Sequence, residues 1–181
     1  MLTDAVTNRS SPFRIPVFSC GSESDIESRI VVLRKSDEQK NIVQFHSDIR
    51  SDKIKILEKN PNSSMLFYDK DEKIQVRLKV EATINHNNNI TKQSWEKTQH
   101  ISRKCYLVDN GPGTESDIPT SGLKPELDNF DYTKEQSEEG YKNFTVIQCK
   151  IKSIEWLYLA AKGHRRARFD IYNSKDTWFV P

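Results

Sequence analysis

The chain has 181 residues, of which 30% are charged and 35% hydrophobic, and its net charge at pH 7 is +2. This small charge, without a basic block, argues against nucleic-acid binding, and no apolar stretch is long enough to span a bilayer. A chain of this length fits one domain that buries roughly 70% of its unfolded surface. We therefore expect a single domain over residues 1–181, with residues 1–12 loose and residues 109–140 a loop or insert.

The first half of the chain shows short apolar patterns separated by polar turns. These patterns predict strands at residues 13–20, 29–34, 42–47, 64–68 and 74–82. The run at 29–34 is rich in β-branched residues and is predicted to be a buried strand with an arginine at each end. A helix is predicted from Ser51 to Asn60, because Pro61 disfavours a helical residue before it. Strands in such a meander favour an antiparallel barrel over a parallel sheet.

The second half has fewer clear patterns. Thr91 is predicted to cap a helix that carries Trp95 and continues towards His100. Residues 109–125 form a Gly/Pro/Ser-rich loop, and the acidic stretch 126–140 contains a candidate helix at 133–138. Residues 143–159 are typical of a strand pair or one bent strand, and residues 165–172 and 177–180 of two short strands across a turn.

The cysteines and the N-terminus predict the compartment. Cys20, Cys105 and Cys149 are widely spaced and form no Cys-x-x-Cys pair, which argues against a disulfide framework and a zinc site. We expect buried thiols and no bound metal. The N-terminus lacks the cationic region and apolar run of a secretory signal, so the prediction is a cytoplasmic protein with no membrane partner.

The turn at residues 45–53 is a candidate anion site. Arg50 and Lys53 lie there with Ser47 and Ser51, at the predicted start of a helix. A helix start leaves backbone N–H groups unpaired, and its dipole favours a negative group. The alternative is an ordinary capped helix start, with Ser51 or Asp48 as the N-cap.

Other catalytic motifs are absent from the sequence. It contains no Gly-x-Ser-x-Gly, no P-loop and no Rossmann glycine fingerprint, and its four histidines show no ligand spacing. What is left is a set of cationic and polar residues near strand ends, each of which alone also fits a solvated charge: Arg29, Arg34, Arg50, Ser51, Lys53, Gln75 and Arg168.

Several segments, taken in order, resemble the pyridoxamine 5'-phosphate oxidase superfamily of FMN-binding split β-barrels. They are Arg29-Ile-Val-Val-Leu-Arg34, Phe45-His-Ser-Asp-Ile-Arg-Ser-Asp-Lys53, Asn60-Pro61, Gln75-Val-Arg77, and Arg168-Phe169 with Trp178 and Pro181. Residues 95 and 103–106, with the Pro-Gly of the following loop, are similar to the Alr-type, oxidase-related branch. The resemblance implies a mainly β fold, an antiparallel split β-barrel with peripheral α-helices, that binds FMN.

The resemblance also implies which residues hold FMN. The predicted cofactor-binding residues are Arg29, Ile30, Val31, Val32, Leu33, His46, Ser47, Arg50, Ser51, Lys53, Gln75, Tyr158 (or nearby Trp156) and Arg168. Arg29, Lys53 and Ser51 would hold the phosphate, with Arg50 in place of a family arginine where this chain has Asp52. The strand after Arg29 would run along the flavin with backbone contacts. In this family FMN lies between two subunits, so a homodimer is implied.

Departures from the family leave the reaction open. The oxidases' substrate-phosphate helix is not reproduced at residues 95–106, and their Arg-x-His appears here as His164-Arg165-Arg166. We expect an FMN-dependent oxidoreductase that acts on a small-molecule substrate or electron donor, with its catalytic residues unassigned. Arg34, Arg103 and Arg166 are the candidates for an acidic or phosphorylated substrate. One alternative is a protein that binds or senses flavin or haem without turnover. Another, a single-stranded nucleic-acid barrel, is disfavoured by the low charge.

Overall fold

The structure is a computed structural model that describes residues 1–22, 24–124, 127 and 133–181. In these ranges the strands are β1 (Val17–Gly21), β2 (Ile26–Ile30), β3 (Leu33–Asp37), β4 (Ile42–Asp48), β5 (Asn62–Asp69), β6 (Ile74–Asn85), β7 (Phe144–Tyr158), β8 (Arg165–Asp170) and β9 (Lys175–Phe179). The α-helices are α1 (Leu2–Thr7), α2 (Asp52–Lys59), α3 (Asn89–Lys97), α4 (His100–Arg103) and α5 (Lys134–Glu138). None of the helices described is long and apolar enough to cross a membrane.

The strands form one mainly antiparallel sheet. Its order is β2-β1-β5-β6-β7-β4-β3, and β8 pairs with β7 on one side and β9 on the other. The pairs β1–β2, β1–β5, β3–β4, β5–β6, β7–β8 and β8–β9 are all antiparallel. The predicted fold class, mainly β with short helices, is therefore confirmed.

The β5–β6 hairpin shows the predicted alternation. Val76, Leu78 and Val80 are buried, and the residues between them lie on the opposite face because side chains alternate along a strand. In the turn, the Asp69 carboxylate accepts hydrogen bonds from the amides of Asp71 and Glu72, each 3.0 Å long. This turn places Asp69 opposite Ile74 and sets the register of both strands.

Contacts group the residues into two compact units, each assembled from separate segments. Unit 1 contains Met1–Phe45, Ile56–Thr83 and Ile147–Pro181, and unit 2 contains His46–Lys55 and Ile84–Val146. The core of unit 1 includes the ring pairs Phe18–Phe45 and Phe13–Phe67, with centroids 4.8 and 5.5 Å apart. The core of unit 2 is built on Trp95, Tyr106, Phe144 and Val146. That residues 1–181 form a single domain stays a prediction.

The N-terminal segment differs from the prediction. Leu2–Thr7 is helical, and Ala5 is fully buried, so the expectation of a loose segment is wrong for these residues. The guanidinium of Arg14 donates hydrogen bonds of 3.2 and 2.7 Å to the carbonyls of Ala5 and Val6. These bonds satisfy carbonyl groups near the end of the helix, which water would otherwise solvate.

Two predicted strands are divided differently in the structure. Pro12–Arg14 is a turn of 3-10 helix, and β1 begins only at Val17. Residues 29–34 are not one buried strand: β2 ends at Ile30 and pairs with β1, whereas β3 begins at Leu33 and pairs with β4. Ile30 is 69% exposed and Leu33 is fully buried. One continuous apolar run thus serves two strands, and no Gly or Pro marks the break.

The helices follow their local signals with one exception. As predicted, α2 ends before Asn60-Pro61, and α5 follows Thr133, whose hydroxyl caps it by accepting a hydrogen bond from the amide of Gln136. The N-cap of α3 is Asn88 and not Thr91. Thr91 occupies the third helical position and completes a capping box with Asn88. The stretch 143–159 contains one strand, β7 (Phe144–Tyr158), and not a strand pair. The last two strands lie close to their predicted bounds.

Candidate cofactor site

The turn between β4 and α2, in unit 2, brings three predicted ligands together. The ammonium Nζ of Lys53 donates hydrogen bonds of 2.9 and 2.8 Å to the hydroxyls of Ser47 and Ser51. The two hydroxyl oxygens are 3.3 Å apart, and both serines are buried. The Ser51 hydroxyl also donates a 2.7 Å hydrogen bond to the carbonyl of Asp48. One cation and two hydroxyls therefore converge on one point at the start of a helix.

This donor set fits a phosphate group. A hydroxyl rotates about its C–O bond and can donate to an oxyanion, and an ammonium has three donors to share. Charge-assisted hydrogen bonds of this kind are roughly twice as strong as neutral ones. The role of Ser51 at the helix start and a role as a ligand are compatible, because its backbone carbonyl accepts the 2.9 Å hydrogen bond from Ile54 while its hydroxyl lies beside Lys53.

Arg50 lies in the same turn, and its guanidinium contacts a carboxylate and two loop carbonyls. Its guanidinium donates to both oxygens of the buried Asp48 carboxylate, at 3.0 and 2.7 Å. It also donates to the carbonyls of Val108 and Asp109, at 3.1 and 3.0 Å. The hydrogen bond with Asp48 raises the pKa of Arg50, against the opposing effect of desolvation. These contacts tie the loop at 108–109 to the turn. That Arg50 takes the place of the family's phosphate arginine stays a prediction.

The loop beyond Asp109 approaches Arg50 closely. A Cβ placed on Gly111 would lie 2.9 Å from the Cβ of Arg50, so this close passage requires glycine. Asp52, at the family's arginine position, is largely exposed and forms a 3.2 Å ion pair with Lys55. His46, another predicted ligand in unit 2, is half-buried with its ring centroid 4.8 Å from that of Phe144 in an edge contact.

The predicted ligands at residues 29–33 belong to unit 1. Arg29 forms an ion pair with Glu27 and a 3.7 Å contact with the thiol of Cys20. Val31 and Leu33 are buried, Val32 is half-buried and Ile30 is exposed. Because the side chains of Val31 and Leu33 are buried in the core, only the backbone of these two residues is available to contact a ligand. Backbone contacts are what the family resemblance implies for this segment.

A buried carboxylate that sequence reasoning missed organises the outer face of β6, β7 and β8 in unit 1. Glu155 is 8% exposed and lies opposite Arg168 in the β7–β8 register. It accepts hydrogen bonds from Arg77, from Arg166 at 2.9 Å and from Arg168 at 3.3 Å. Gln75 is half-buried on the same face of β6 as Arg77, since the two are two residues apart. The sequence contains one indication of this cluster, because Glu155 is the lone acidic residue of an apolar strand and is followed by several arginines at 165–168.

The side chain of Tyr158 does not lie on the same face of the sheet as that of Arg168. The Tyr158 ring stacks on Trp156, with centroids 6.1 Å apart, and Trp156 meets Trp178 at 6.5 Å. Because residues 155 and 158 are an odd number apart on β7, these aromatic rings lie on the opposite face from Glu155 and Arg168. The structure therefore places two predicted flavin contacts, Arg168 and Tyr158, on different faces of the sheet.

Arg103, a predicted substrate residue, lies in the core of unit 2. Its side chain is 6% exposed, and its guanidinium lies over the Trp95 ring, 4.5 Å from the centroid. It donates to the Trp95 carbonyl at 2.8 Å and to the carboxylate of Glu138. Of the other two substrate candidates, Arg34 is exposed on β3 and Arg166 belongs to the Glu155 cluster.

The cysteines differ from the expectation at one position. Cys20 and Cys149 are buried, and burial raises the pKa of the Cys149 thiol, which removes it as a nucleophile at neutral pH. Cys105 is exposed and lines a cavity of about 910 Å³ beside the loop at 110–116. Within the described ranges, no group of three or more His, Cys, Asp or Glu residues could hold a metal ion.

Comparison with known proteins finds a family model that matches part of the chain and solved structures with a similar fold. Residues 2–86 match the family model described as Pyridoxamine 5'-phosphate oxidase, FMN-binding domain. A pyridoxamine 5'-phosphate oxidase-related, FMN binding protein from Nostoc punctiforme is 16% identical with a TM-score of 0.77, over 99% of this chain and 94% of that chain. PhzG from Burkholderia lata, in complex with tetrahydrophenazine-1-carboxylic acid, is 15% identical with a TM-score of 0.73, over 96% of this chain and 85% of its own. No curated protein matches the chain.

A third solved structure supports the same fold. A protein related to general stress protein 26, of the pyridoxinephosphate oxidase family, from Clostridium acetobutylicum is 12% identical with a TM-score of 0.57, over 92% of this chain and 91% of that chain. The chain thus has the split-barrel fold of the pyridoxamine 5'-phosphate oxidase-like proteins. Its first half matches the FMN-binding domain of that family, and the resemblance predicted from the sequence is confirmed.

Proposed function

We propose that the chain binds FMN and acts as an FMN-dependent oxidoreductase on a small organic molecule. The observation that carries this proposal is the convergence of Lys53 with Ser47 and Ser51 in the turn between β4 and α2. The family match of residues 2–86 supports flavin as the class of ligand. PhzG from Burkholderia lata, which has a similar fold, was solved in complex with tetrahydrophenazine-1-carboxylic acid, and this supports a small organic molecule as the class of substrate.

In unit 2, Lys53, Ser47 and Ser51 would hold the phosphate. For unit 1, the family resemblance implies that Arg29, Gln75, Arg168 and the backbone at 30–33 contact flavin. When bound, FMN supplies hydride and electron transfer, and the protein supplies binding, orientation and electrostatics.

The phosphate end is tested with Lys53→Ala. Loss of one charge-assisted contact costs roughly 1.5–3 kcal/mol, so we expect FMN affinity to fall about 10- to 100-fold. Flavin fluorescence quenching on titration of the apoprotein measures this affinity. Riboflavin, which lacks the phosphate, should bind the variant as it binds the unchanged protein.

The matched control is Lys55→Ala, which removes the same charge from an exposed position two residues along the same helix. It should leave FMN affinity within about twofold. An equal loss of FMN and riboflavin affinity in Lys53→Ala would remove Lys53 from the phosphate site. Absence of any flavin binding at micromolar concentration would overturn the proposed function itself.

Turnover needs a separate measurement. Anaerobic mixing of the flavin-loaded protein with reduced nicotinamides or with B6 vitamers, followed at the flavin absorption band, shows whether the ring is reduced. Bleaching by a donor supports an oxidoreductase. A flavin that binds tightly and is bleached by no donor would instead support the alternative of a non-catalytic flavin-binding protein.

We also propose that the protein is a cytoplasmic homodimer. One outward row of unit 1 runs across β2, β1, β5 and β6 through Ile30, Val17, Leu66 and Arg77. Ile30 is 69% exposed and Leu66 is 37% exposed. Exposed apolar side chains in one row of a sheet, here Ile30 and Leu66, are a natural contact for a second copy of the chain.

A further inference from the structure

One stretch of unit 2 forms a cavity that the proposed function does not use. Its volume is about 910 Å³, and the described residues that line it all lie within residues 101–123. None of the residues predicted to hold the cofactor or a substrate is among them. Small-molecule sites in proteins have volumes of roughly 300–1,000 Å³, so this cavity has the size of such a site.

The walls of the cavity contain aliphatic side chains from both the helical and the loop part of this stretch. Ile101 belongs to the helix α4, and Val108, Ile118 and Leu123 belong to the loop. Ile101 and Ile118 are 59% and 70% exposed, so they keep much of their apolar surface in contact with water. Burial of this surface against an apolar ligand is favourable, because it removes the surface from water.

The lining offers a ligand no excess of charge. Lys104 and Glu115 are its charged members within the described part of the chain, and their charges are opposite. Transfer of an ionised group from water into an apolar site is costly unless an opposite charge compensates it. Because the two charges of the lining cancel, the cavity favours a neutral ligand over a cation or an anion.

The loop wall of the cavity is held by hydrogen bonds of its own. The Thr114 hydroxyl donates a 2.8 Å hydrogen bond to the carbonyl of Gly111, and the Thr120 hydroxyl accepts a 3.0 Å hydrogen bond from the amide of Gly122. At the start of the loop, the guanidinium of Arg50 donates hydrogen bonds to two carbonyls. A wall that is formed before a ligand arrives lowers the entropic cost of binding.

We propose that this cavity binds one neutral, mainly apolar small molecule. A protein partner fits it less well, because a stable protein interface takes roughly 20–30 residues on each side, and the cavity is lined by only part of one stretch of chain. Binding there does not require flavin, since the predicted cofactor residues lie elsewhere in the sequence.

The test uses two fluorescent dyes that share the same rings. N-phenyl-1-naphthylamine is neutral, whereas 8-anilinonaphthalene-1-sulfonate carries an added sulfonate. Each dye is titrated into the purified protein, with and without an excess of FMN. We expect the neutral dye to bind about tenfold or more tightly than the sulfonate, and FMN to leave its affinity unchanged.

Two variants locate the dye. Ile118→Ala removes apolar contact surface from the cavity and should weaken binding of the neutral dye about tenfold. Ile26→Ala is the matched control, because Ile26 on β2 is 75% exposed and does not line the cavity. It should change the affinity by less than about twofold. Thermal unfolding of each variant confirms that it is folded.

Cys105 supplies a second measurement of the same binding. Its thiol is exposed and lines the cavity, whereas Cys20 and Cys149 are buried. Alkylation by iodoacetamide, followed by mass spectrometry of the intact protein, therefore reports on access to the cavity. A saturating concentration of the neutral dye should slow alkylation of Cys105 about tenfold, because the rate of thiol reactions depends on access.

Several results would overturn the proposal. The neutral dye might bind no more tightly than the sulfonate, or FMN might displace it. Equal losses in Ile118→Ala and Ile26→Ala, or alkylation of Cys105 at an unchanged rate, would place the dye outside the cavity. A dye affinity that falls as the protein concentration rises would mean that a second copy of the chain covers the cavity instead.

Discussion

Arg50 and Lys53 lie in the same turn of unit 2, but their side chains contact different partners. Lys53 contacts two hydroxyls, whereas Arg50 donates hydrogen bonds to a buried carboxylate and two loop carbonyls. Asp48, the partner of Arg50, has a side chain that is only 5% exposed. Without Arg50, that carboxylate would be left buried and unpaired, which is costlier than the loss of the ion pair alone suggests.

Arg50→Ala should therefore act on stability. We expect the free energy of unfolding to fall by about 3 kcal/mol, measured by urea denaturation. The double variant Asp48→Asn, Arg50→Ala should recover a large part of that loss, because no buried charge is left. If the double variant is less stable than Arg50→Ala, desolvation of Asp48 is not the cause.

The side chains that sequence reasoning could not place depend on distant partners. Ser47, Ser51 and Lys53 are close in the sequence, and a strand–turn–helix pattern was enough to predict that they meet. Arg50 shares that turn, but its role is set by Val108 and Asp109, which lie far along the chain. Glu155 likewise acquires its importance only when β6 and β8 bring arginines to it.

Among the elements, those with a strong local signal were predicted well. The β5–β6 hairpin combines strict alternation with an Asp-capped turn, and α2 stops ahead of a proline. The interruption between β2 and β3 had no such signal, because Val31 and Val32 are good strand residues in either arrangement. The break is set by pairing, since Ile30 lies opposite Val17 and Leu33 opposite Phe45.

Helices α3, α4 and α5 are joined by a network that should make stability depend on pH. Glu138 on α5 accepts a 2.7 Å hydrogen bond from the Trp95 indole and another from Arg103. Desolvation raises the pKa of Glu138, but the hydrogen bonds from Trp95 and Arg103 outweigh it and leave the pKa below its ordinary value of 4.5. A carboxyl with a lowered pKa in the folded state stabilises the protein above its unfolded pKa.

This stabilisation should be lost as the pH falls below about 4.5. We expect the unfolding free energy to drop more steeply between about pH 5 and about pH 3 in the unchanged protein than in Glu138→Gln. Urea denaturation at a series of pH values measures both slopes. Glu139→Gln, a change at the exposed neighbouring glutamate, is the control and should keep the steep dependence. Parallel curves for the unchanged protein and Glu138→Gln would contradict this account.

At the scale of the whole molecule, the outward row of unit 1 predicts self-association. The double change Ile30→Glu, Leu66→Glu places charges on two exposed apolar positions of one row. We expect sedimentation velocity to show a dimer for the unchanged protein and a monomer for this variant, because an unpaired charge in an interface is costly to desolvate. Ile118→Glu, in an exposed loop of unit 2, is the control and should stay dimeric. A monomeric unchanged protein would refute the proposed dimer.

The order of the sheet has a consequence for how the protein is made. β7 lies between β6 and β4, and the amide of Ile151 donates a 2.8 Å hydrogen bond to the carbonyl of Asn41. About 100 residues separate the end of β4 from that contact, so at roughly 5–20 residues per second a ribosome needs about 5–20 s to supply it. Until then β4 and β6 each expose an unpaired edge that invites aggregation. The segment that matches the family model ends at residue 86, before β7, and cannot complete the sheet by itself. Correct folding of the nascent chain therefore requires that β7 be synthesised and pair with β4 and β6 before these exposed edges associate with another chain.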